Sequence, residues 1–176
     1  WLTRAYIQYD ARRADAVRVI NQKETPEFLE RAGVPAEKLT YISAMYINTD
    51  TFRPMAVQKE YDLVFAARLE RNKGIVELLK ALLYVKQAFP DVHLLIVGTG
   101  SLKGMLERFV RDNGLEQNVT FSGWLPTADD VAKAYNSARV FVNPSYNEGG
   151  PRVVLEAMAC GLPVITTRVG AMHDLI

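Results

Sequence analysis

A doubly wound, mainly parallel α/β sheet is the fold class this sequence predicts, and three features predict it. From Tyr61 onward, short apolar runs alternate with longer amphipathic ones. The first of the short runs, "YDLVFAARL", is of the kind seen in strands covered on both faces. Glycines punctuate the changes from one type of run to the other. Such strand–helix alternation implies parallel strands joined by right-handed crossovers. Ligands of these sheets bind beyond the carboxyl ends of the strands, near the point where strand order reverses.

The elements follow in order. "ADAVRVIN" and "KLTYISA" read as strands around a helix, "TPEFLERAG", with Thr25 as its cap and Pro26 in its first turn. "NTDTFRPMAVQKEY" reads as a linker, which places a domain boundary near Tyr46 to Arg53 and divides the chain into residues 1–46 and 47–176. After the strand at Tyr61, "KGIVELLKALLYVKQAF" spaces Ile75, Leu79, Leu82 and Phe89 for one helix face. "VHLLIVGTG" is a strand ending in a glycine turn, and "SLKGMLERFVRDNG" a helix closed by Gly114. "NVTFSGW" is a strand, and "PTADDVAKAYNSA" a helix capped by Thr127. "RVFVNPS" and "LPVITT" are two further strands, separated by a helix with Pro151 in its first turn and Gly161 at its end.

The totals exclude several classes. With 176 residues, 49% hydrophobic and 23% charged, the chain can bury a sizeable core. A net charge of +1 without a dense basic run argues against a nucleic-acid partner. The single cysteine, Cys160, allows no internal disulfide, fits a reducing compartment and reads as a small buried helix residue. No apolar run reaches the ~18 residues of a membrane span, and no signal peptide is visible. A cytoplasmic location is expected, with a peripheral place at the inner membrane face open to the intact protein. The chain starts at "WLTRAYIQ" without Met and stops at "AMHDLI", in what looks like the first turn of a helix. It is therefore expected to be part of a longer protein.

Chemistry concentrates in loops that follow strands. Arg68 and Lys73, in "ARLERNKG", put two cations ahead of a helix start, a natural anion seat. The plainer alternative is two solvated charges in a polar turn with Glu70 and Arg71. "GTG" at Gly98 to Gly100 allows close backbone approach. It is neither the dinucleotide fingerprint, since Lys103 takes the third glycine's place, nor a Walker loop. "NEGG", Asn147 to Gly150, is a polar loop running into a helix N-terminus, where free N–H groups suit a phosphate or sugar oxygen.

That helix carries Glu156 among Val153, Val154, Leu155, Ala157, Met158 and Ala159. A carboxylate in apolar surroundings needs a partner, either a neighbouring loop or arginine, or the hydroxyls of a ligand. Glu148 lies eight residues earlier, on the order of 10 Å along a helix axis. Glycosidase carboxylates instead oppose each other across one bond at roughly 5 to 9.5 Å. The spacing favours two contacts on one extended ligand over hydrolysis of a glycoside.

Together "ARLERNKG", "LLIVGTG", "VTFSGWLP" and "NEGGPRVVLEAMACGLPVI" resemble the donor-binding half of a family 4 retaining glycosyltransferase of the GT-B fold. The likeness runs from about Asn48 to the C-terminus and implies a Rossmann-like domain preceded, in residues 1–46, by a strand–helix–strand piece of the acceptor-binding domain. It implies that Arg68 and Lys73 neutralise the diphosphate of a nucleotide sugar, such as a UDP-, GDP- or ADP-hexose. Glu156 would accept from the ribose hydroxyls. Glu148, as the catalytic residue, would hold the transferred sugar with the N–H groups of Gly149 and Gly150. The turn at Gly123 and Trp124 would face the base, although Trp124 also suits plain packing. No cofactor or metal is implied, and His93 and His173 form no ligand cluster in the sequence. The acceptor would be a sugar or a lipid-linked molecule. Alone, this segment would bind donor and transfer little.

Where the family carries Asn-Gly-Val-Asp before the linker, this chain has Met45-Tyr46-Ile47-Asn48. The missing glycine puts the usual backbone approach at that point in question. Starch or glycogen synthases share the acid pair, a sugar-nucleotide epimerase would lack the full combination, and a non-catalytic Rossmann-like module would bind nucleotide without gain from the sugar.

Overall fold

In the computed structural model the described residues are 2–43, 46–150 and 152–175, with the backbone alone described for 2–4. Pro151 and Met45 lie outside them, and with them the first-turn role of Pro151 and part of the Met45-to-Asn48 departure. The chain forms two compact units, one of Trp1–Tyr46, Glu148–Pro151 and Arg168–Ile176, the other of Ile47–Asn147 and Arg152–Thr167.

The first unit begins with α1 (Leu2–Arg13), a helix not legible in the sequence. β1 (Val17–Val19), α2 (Glu24–Arg31) and β2 (Leu39–Tyr41) follow. β1 and β2 pair in parallel, Val17 opposite Leu39. Lys38 Nζ donates to the carbonyls of Ala11 at 2.8 Å and Ala14 at 2.9 Å, satisfying acceptors that the end of α1 leaves open. Thr25 does not cap α2, which starts one residue earlier at Glu24. The buried side chain of Asn21 does that work, accepting from the Thr25 N–H at 2.8 Å and donating to its hydroxyl at 2.8 Å. An amide with both a donor and an acceptor holds this corner where a hydroxyl was expected.

Residues of the C-terminal 3₁₀ turn, Gly170–Asp174, join the same unit. Glu24 accepts from the Gly170 N–H at 2.9 Å and lies 3.3 Å from His173 Nε2. The Ala171 N–H donates to the Gly149 carbonyl at 3.0 Å.

The second unit is a five-stranded sheet made of β3 (Tyr61–Ala66), β4 (Leu94–Val97), β5 (Val119–Gly123), β6 (Ala138–Asn143) and β7 (Val164–Thr166). All strand pairs are parallel and the order is β5-β4-β3-β6-β7. The chain fills one side of β3 and then returns to fill the other, so strand order reverses between β3 and β6. The doubly wound α/β class expected from the sequence is therefore present. β4 is buried along its whole length, as a strand sandwiched between helix layers must be.

The helices are α3 (Ile75–Ala88), α4 (Lys103–Asp112), α5 (Ala128–Asn136) and α6 (Arg152–Ala159). Ile75, Leu79 and Leu82 of α3 enter the core with Leu78. Phe89 does not, being 67% exposed. The helix ends at Ala88, because Pro90 disfavours a helical conformation at the residue before it, and the helical period no longer carries Phe89 inward. Thr127 caps α5 as expected, accepting from the Asp130 N–H at 3.1 Å. Gly114 and Gly161 close their helices with positive φ.

Candidate functional site

Parallel pairing brings the loops after β3, β4 and β5 to one edge of the sheet. Between them and the facing sides of α5 and α6 lies a cavity of about 490 Å³. Its mainly apolar wall includes Ala66, Val97, Leu125, Val131 and Val153, and its polar groups include Arg68, Thr99 and Glu156. Cavities of similar volume open beside Asp62 and Phe89, about 480 Å³, and beside Arg71 and Tyr146, about 510 Å³. Size therefore does not choose among them. The strand-end cavity combines an inward carboxylate, a cation and glycine backbone at the topological switch, which is where such sheets take ligands.

Arg68 follows β3, with a side chain 69% exposed, and donates from Nη1 to Glu70 Oε1 at 3.2 Å. Lys73 ends the 3₁₀ turn Arg71–Lys73, half-buried, and is not among the lining residues. Its N–H donates to the Glu70 carbonyl at 3.1 Å, and Gly74 follows in a left-handed conformation to open α3.

The glycines of "GTG" have a structural task before any ligand arrives. Gly98 has φ +127°, and a Cβ there would collide with the Ala67 carbonyl. At Gly100 a Cβ would lie 2.5 Å from the Leu69 carbonyl oxygen and 2.6 Å from its nitrogen. The close approach lets the Leu69 N–H donate to the Thr99 carbonyl at 2.9 Å and the Leu102 N–H to the Leu69 carbonyl at 3.0 Å. The β3 and β4 loops are thus laced together, and Arg68 is presented from a fixed backbone.

Glu156 is inside, as its apolar neighbours foretold, with a side chain 12% exposed. Its Oε2 accepts from the Tyr135 hydroxyl at 3.3 Å, and its Oε1 lies 3.8 Å from Arg152 Nη2 one turn earlier. Burial raises its pKa above the ordinary carboxylate value; the Arg152 charge and then the Tyr135 hydrogen bond lower it, without cancelling the rise.

Tyr135 was not singled out by the sequence. Its ring is wholly buried, edge-on to Phe141 with centroids 5.5 Å apart and tilted against Phe52 at 6.2 Å. A signal existed, since Val131 and Tyr135 are four apart on α5 and both line the cavity. Burial also pushes the Cys160 thiol up to about 11, so it stays protonated, in keeping with a packing role.

Trp124 does not pack as a core residue. It is 72% exposed and lies on the cavity lining, directly after Gly123, whose φ is +73°. Glu148, Gly149 and Gly150 belong to the first unit, where a Cβ on Gly170 would collide with the Glu148 carbonyl. Among the described residues, no group of three His, Cys, Asp or Glu side chains is placed to hold a metal ion, and no helix is long and apolar enough to cross a membrane.

A parallel sheet with a strand-end cavity of this kind defines a Rossmann-like α/β domain with a candidate ligand site. Comparison with known proteins narrows the class. The sequence model of the family described as "Glycosyl transferases group 1" matches residues 47–176, and the chain belongs to that family. A D-inositol 3-phosphate glycosyltransferase of Pseudarthrobacter chlorophenolicus is 39% identical over 122 residues, covering 66% of this chain and 28% of its own length. The sucrose-phosphate synthase of Thermosynechococcus elongatus is 30% identical, with a TM-score of 0.75 over 92% of this chain and 42% of its own. HepE of Anabaena, solved with UDP and glucose, shares the fold, with a TM-score of 0.83 at 23% identity over 98% of this chain and 50% of its own. The chain spans 28% to 32% of the length of three curated relatives that it matches.

Proposed function

We propose that this chain is the donor-binding half of a family 4 retaining glycosyltransferase, and that the strand-end cavity takes the nucleoside diphosphate of a hexose donor. The observation that carries the proposal is the meeting of Arg68, Glu156 and the exposed Trp124 on one apolar-walled cavity beyond the strand ends. Arg68 and Lys73 neutralise the diphosphate, on binding and again as it departs with added charge. Arg68 is free to do so because an exposed ion pair such as that with Glu70 is worth about 0–1 kcal/mol. Charge-assisted bonds to phosphate contribute about 1.5–3 kcal/mol each. Glu156 accepts from the ribose hydroxyls, and the Gly123–Trp124 turn faces the base. Glu148, with the N–H groups of Gly149 and Gly150, holds the transferred hexose. The acceptor is a sugar or lipid-linked molecule received by the rest of the protein, so the segment alone binds donor but transfers little.

The test is calorimetric titration of the chain with UDP-, GDP- and ADP-hexoses, the free diphosphates and the free nucleosides. UDP comes first because HepE, of the same fold, is solved with it. One diphosphate series should bind clearly above the others. In that series Arg68→Ala should weaken the diphosphate by about tenfold or more and leave the nucleoside nearly unchanged. Equal diphosphate affinity in parent and variant would sink the assignment.

A further inference from the structure

We infer that Tyr135 is a positioning residue for ribose recognition, its buried hydroxyl fixing the Glu156 carboxylate so that the cavity distinguishes a vicinal diol from a deoxy sugar. The inference rests on the proposed role of Glu156 and adds a residue to it. A glutamate carboxylate rotates freely about its last bond, which has a broad, roughly two-fold profile. A pair of neighbouring hydroxyls is bound well only when both carboxylate oxygens are held in the plane of the diol. In this cavity the carboxylate is tethered at one oxygen by Tyr135, from α5, and approached at the other by Arg152, from its own helix.

The two tethers differ in quality. Arg152 is 60% exposed and 3.8 Å away, an i,i+4 surface contact of little orienting power. Tyr135 is immobilised between Phe52 and Phe141, so its hydroxyl is a fixed point. Burial, then the Glu156 charge and hydrogen bond, raise the Tyr135 pKa well above its ordinary value, so the phenol remains a donor. Among the described residues, Cys160, held as a neutral thiol, also interacts with Glu156, and Arg68 lines the same cavity. A site that aims fixed polar groups at a hydroxyl rejects an analogue lacking it, because those groups are then left unpaired.

The experiment compares UDP with 2′-deoxy-UDP on the full chain, by calorimetry across pH, for the parent, Tyr135→Phe and Glu156→Gln, with a melting curve for each. The parent should prefer UDP by about tenfold or more. Tyr135→Phe should cut that preference to a few-fold by weakening UDP while sparing 2′-deoxy-UDP. Loss of the hydrogen bond also raises the Glu156 pKa further. Binding needs the ionised carboxylate and fails as pH falls through that pKa, so the acid limb should move to higher pH in Tyr135→Phe. Equal weakening of both ligands, or an unmoved preference and acid limb, would overturn the role of Tyr135. If Glu156→Gln itself left the preference intact, the assignment of Glu156 would fail instead, which keeps the two failures apart. Should Tyr135→Phe not fold, 3,5-difluorotyrosine at position 135 keeps the shape and supplies a more acidic phenol. The preference must then disappear at lower alkaline pH than in the parent, and its persistence would also overturn the proposal.

Discussion

Glu156 stands at a conflict between stability and function. Its carboxylate lies on a mainly apolar cavity wall, and burial outweighs Arg152 and Tyr135 in setting its pKa above the ordinary 4.5. A raised folded-state pKa means that the fold favours the protonated form. The associated stability is complete below pH 4.5 and is lost as pH rises through the folded pKa. At neutral pH the parent therefore carries a desolvated charge that a glutamine would not. Glu156→Gln should melt at a higher temperature than the parent at pH 7, and the gap should close as pH falls below about 4.5. The same variant should lose affinity for nucleotide and nucleotide sugar alike, a gain in stability at the expense of a binding group. Melting curves from pH 4 to pH 8 check the first part, and a variant less stable at pH 7 would refute it.

At the scale of elements, the site depends on the lacing of the β3 and β4 loops. Gly98 combines a φ of +127° with a neighbouring carbonyl where a Cβ would go, and the Gly98 N–H donates to the Gly123 carbonyl at 2.8 Å. One residue thus ties the loops after β3, β4 and β5. Gly98→Ala should destabilise the chain by about 1–3 kcal/mol for the backbone conformation alone, with the collision added. It should also weaken nucleotide binding without touching a ligand-facing side chain. Gly104, in α4, has open space at its Cβ position, and Gly104→Ala should be neutral or stabilising. Urea unfolding of the pair gives the comparison, and equal stability of the two variants would show that the lacing does not matter.

For the whole molecule, the proposed division of labour separates two glutamates and predicts how the intact protein behaves. Glu148→Gln should spare nucleotide binding and lower turnover, because the sugar gains charge only as transfer proceeds. If side-chain cations carry the diphosphate, activity of the full-length protein should survive a chelator. A strict requirement for magnesium or manganese would contradict that. Transfer rates of full-length parent and variant, measured with and without chelator, test both points.

The order of the elements was legible because helices and strands write their periods into local sequence, and apolar runs such as "LLIV" in β4 leave little choice. The strand-end location of Arg68, Gly98, Gly100 and Trp124 followed from that order, since parallel strands send successive loops to one edge. The burial of Glu156 was legible too, from its apolar neighbours on α6. Other features were not. Tyr135 and Glu156 lie 21 positions apart, and no spacing rule says that their side chains meet. The glycines of "GTG" read as a turn that allows close backbone approach, but nothing local said that the backbone approaching them is that of Ala67–Leu69. Phe89 kept the helical period but lay beyond the end of its helix, and Thr25 gave up its capping role to Asn21. Glu148 to Gly150 interrupts the second unit in sequence yet groups with the first. Which elements form, and which chemistry arrives at the sheet edge, depend on neighbours along the chain and could be read from it. Which groups share a cavity and which backbones touch came from the folded molecule, because those contacts join residues that local periodicity does not connect.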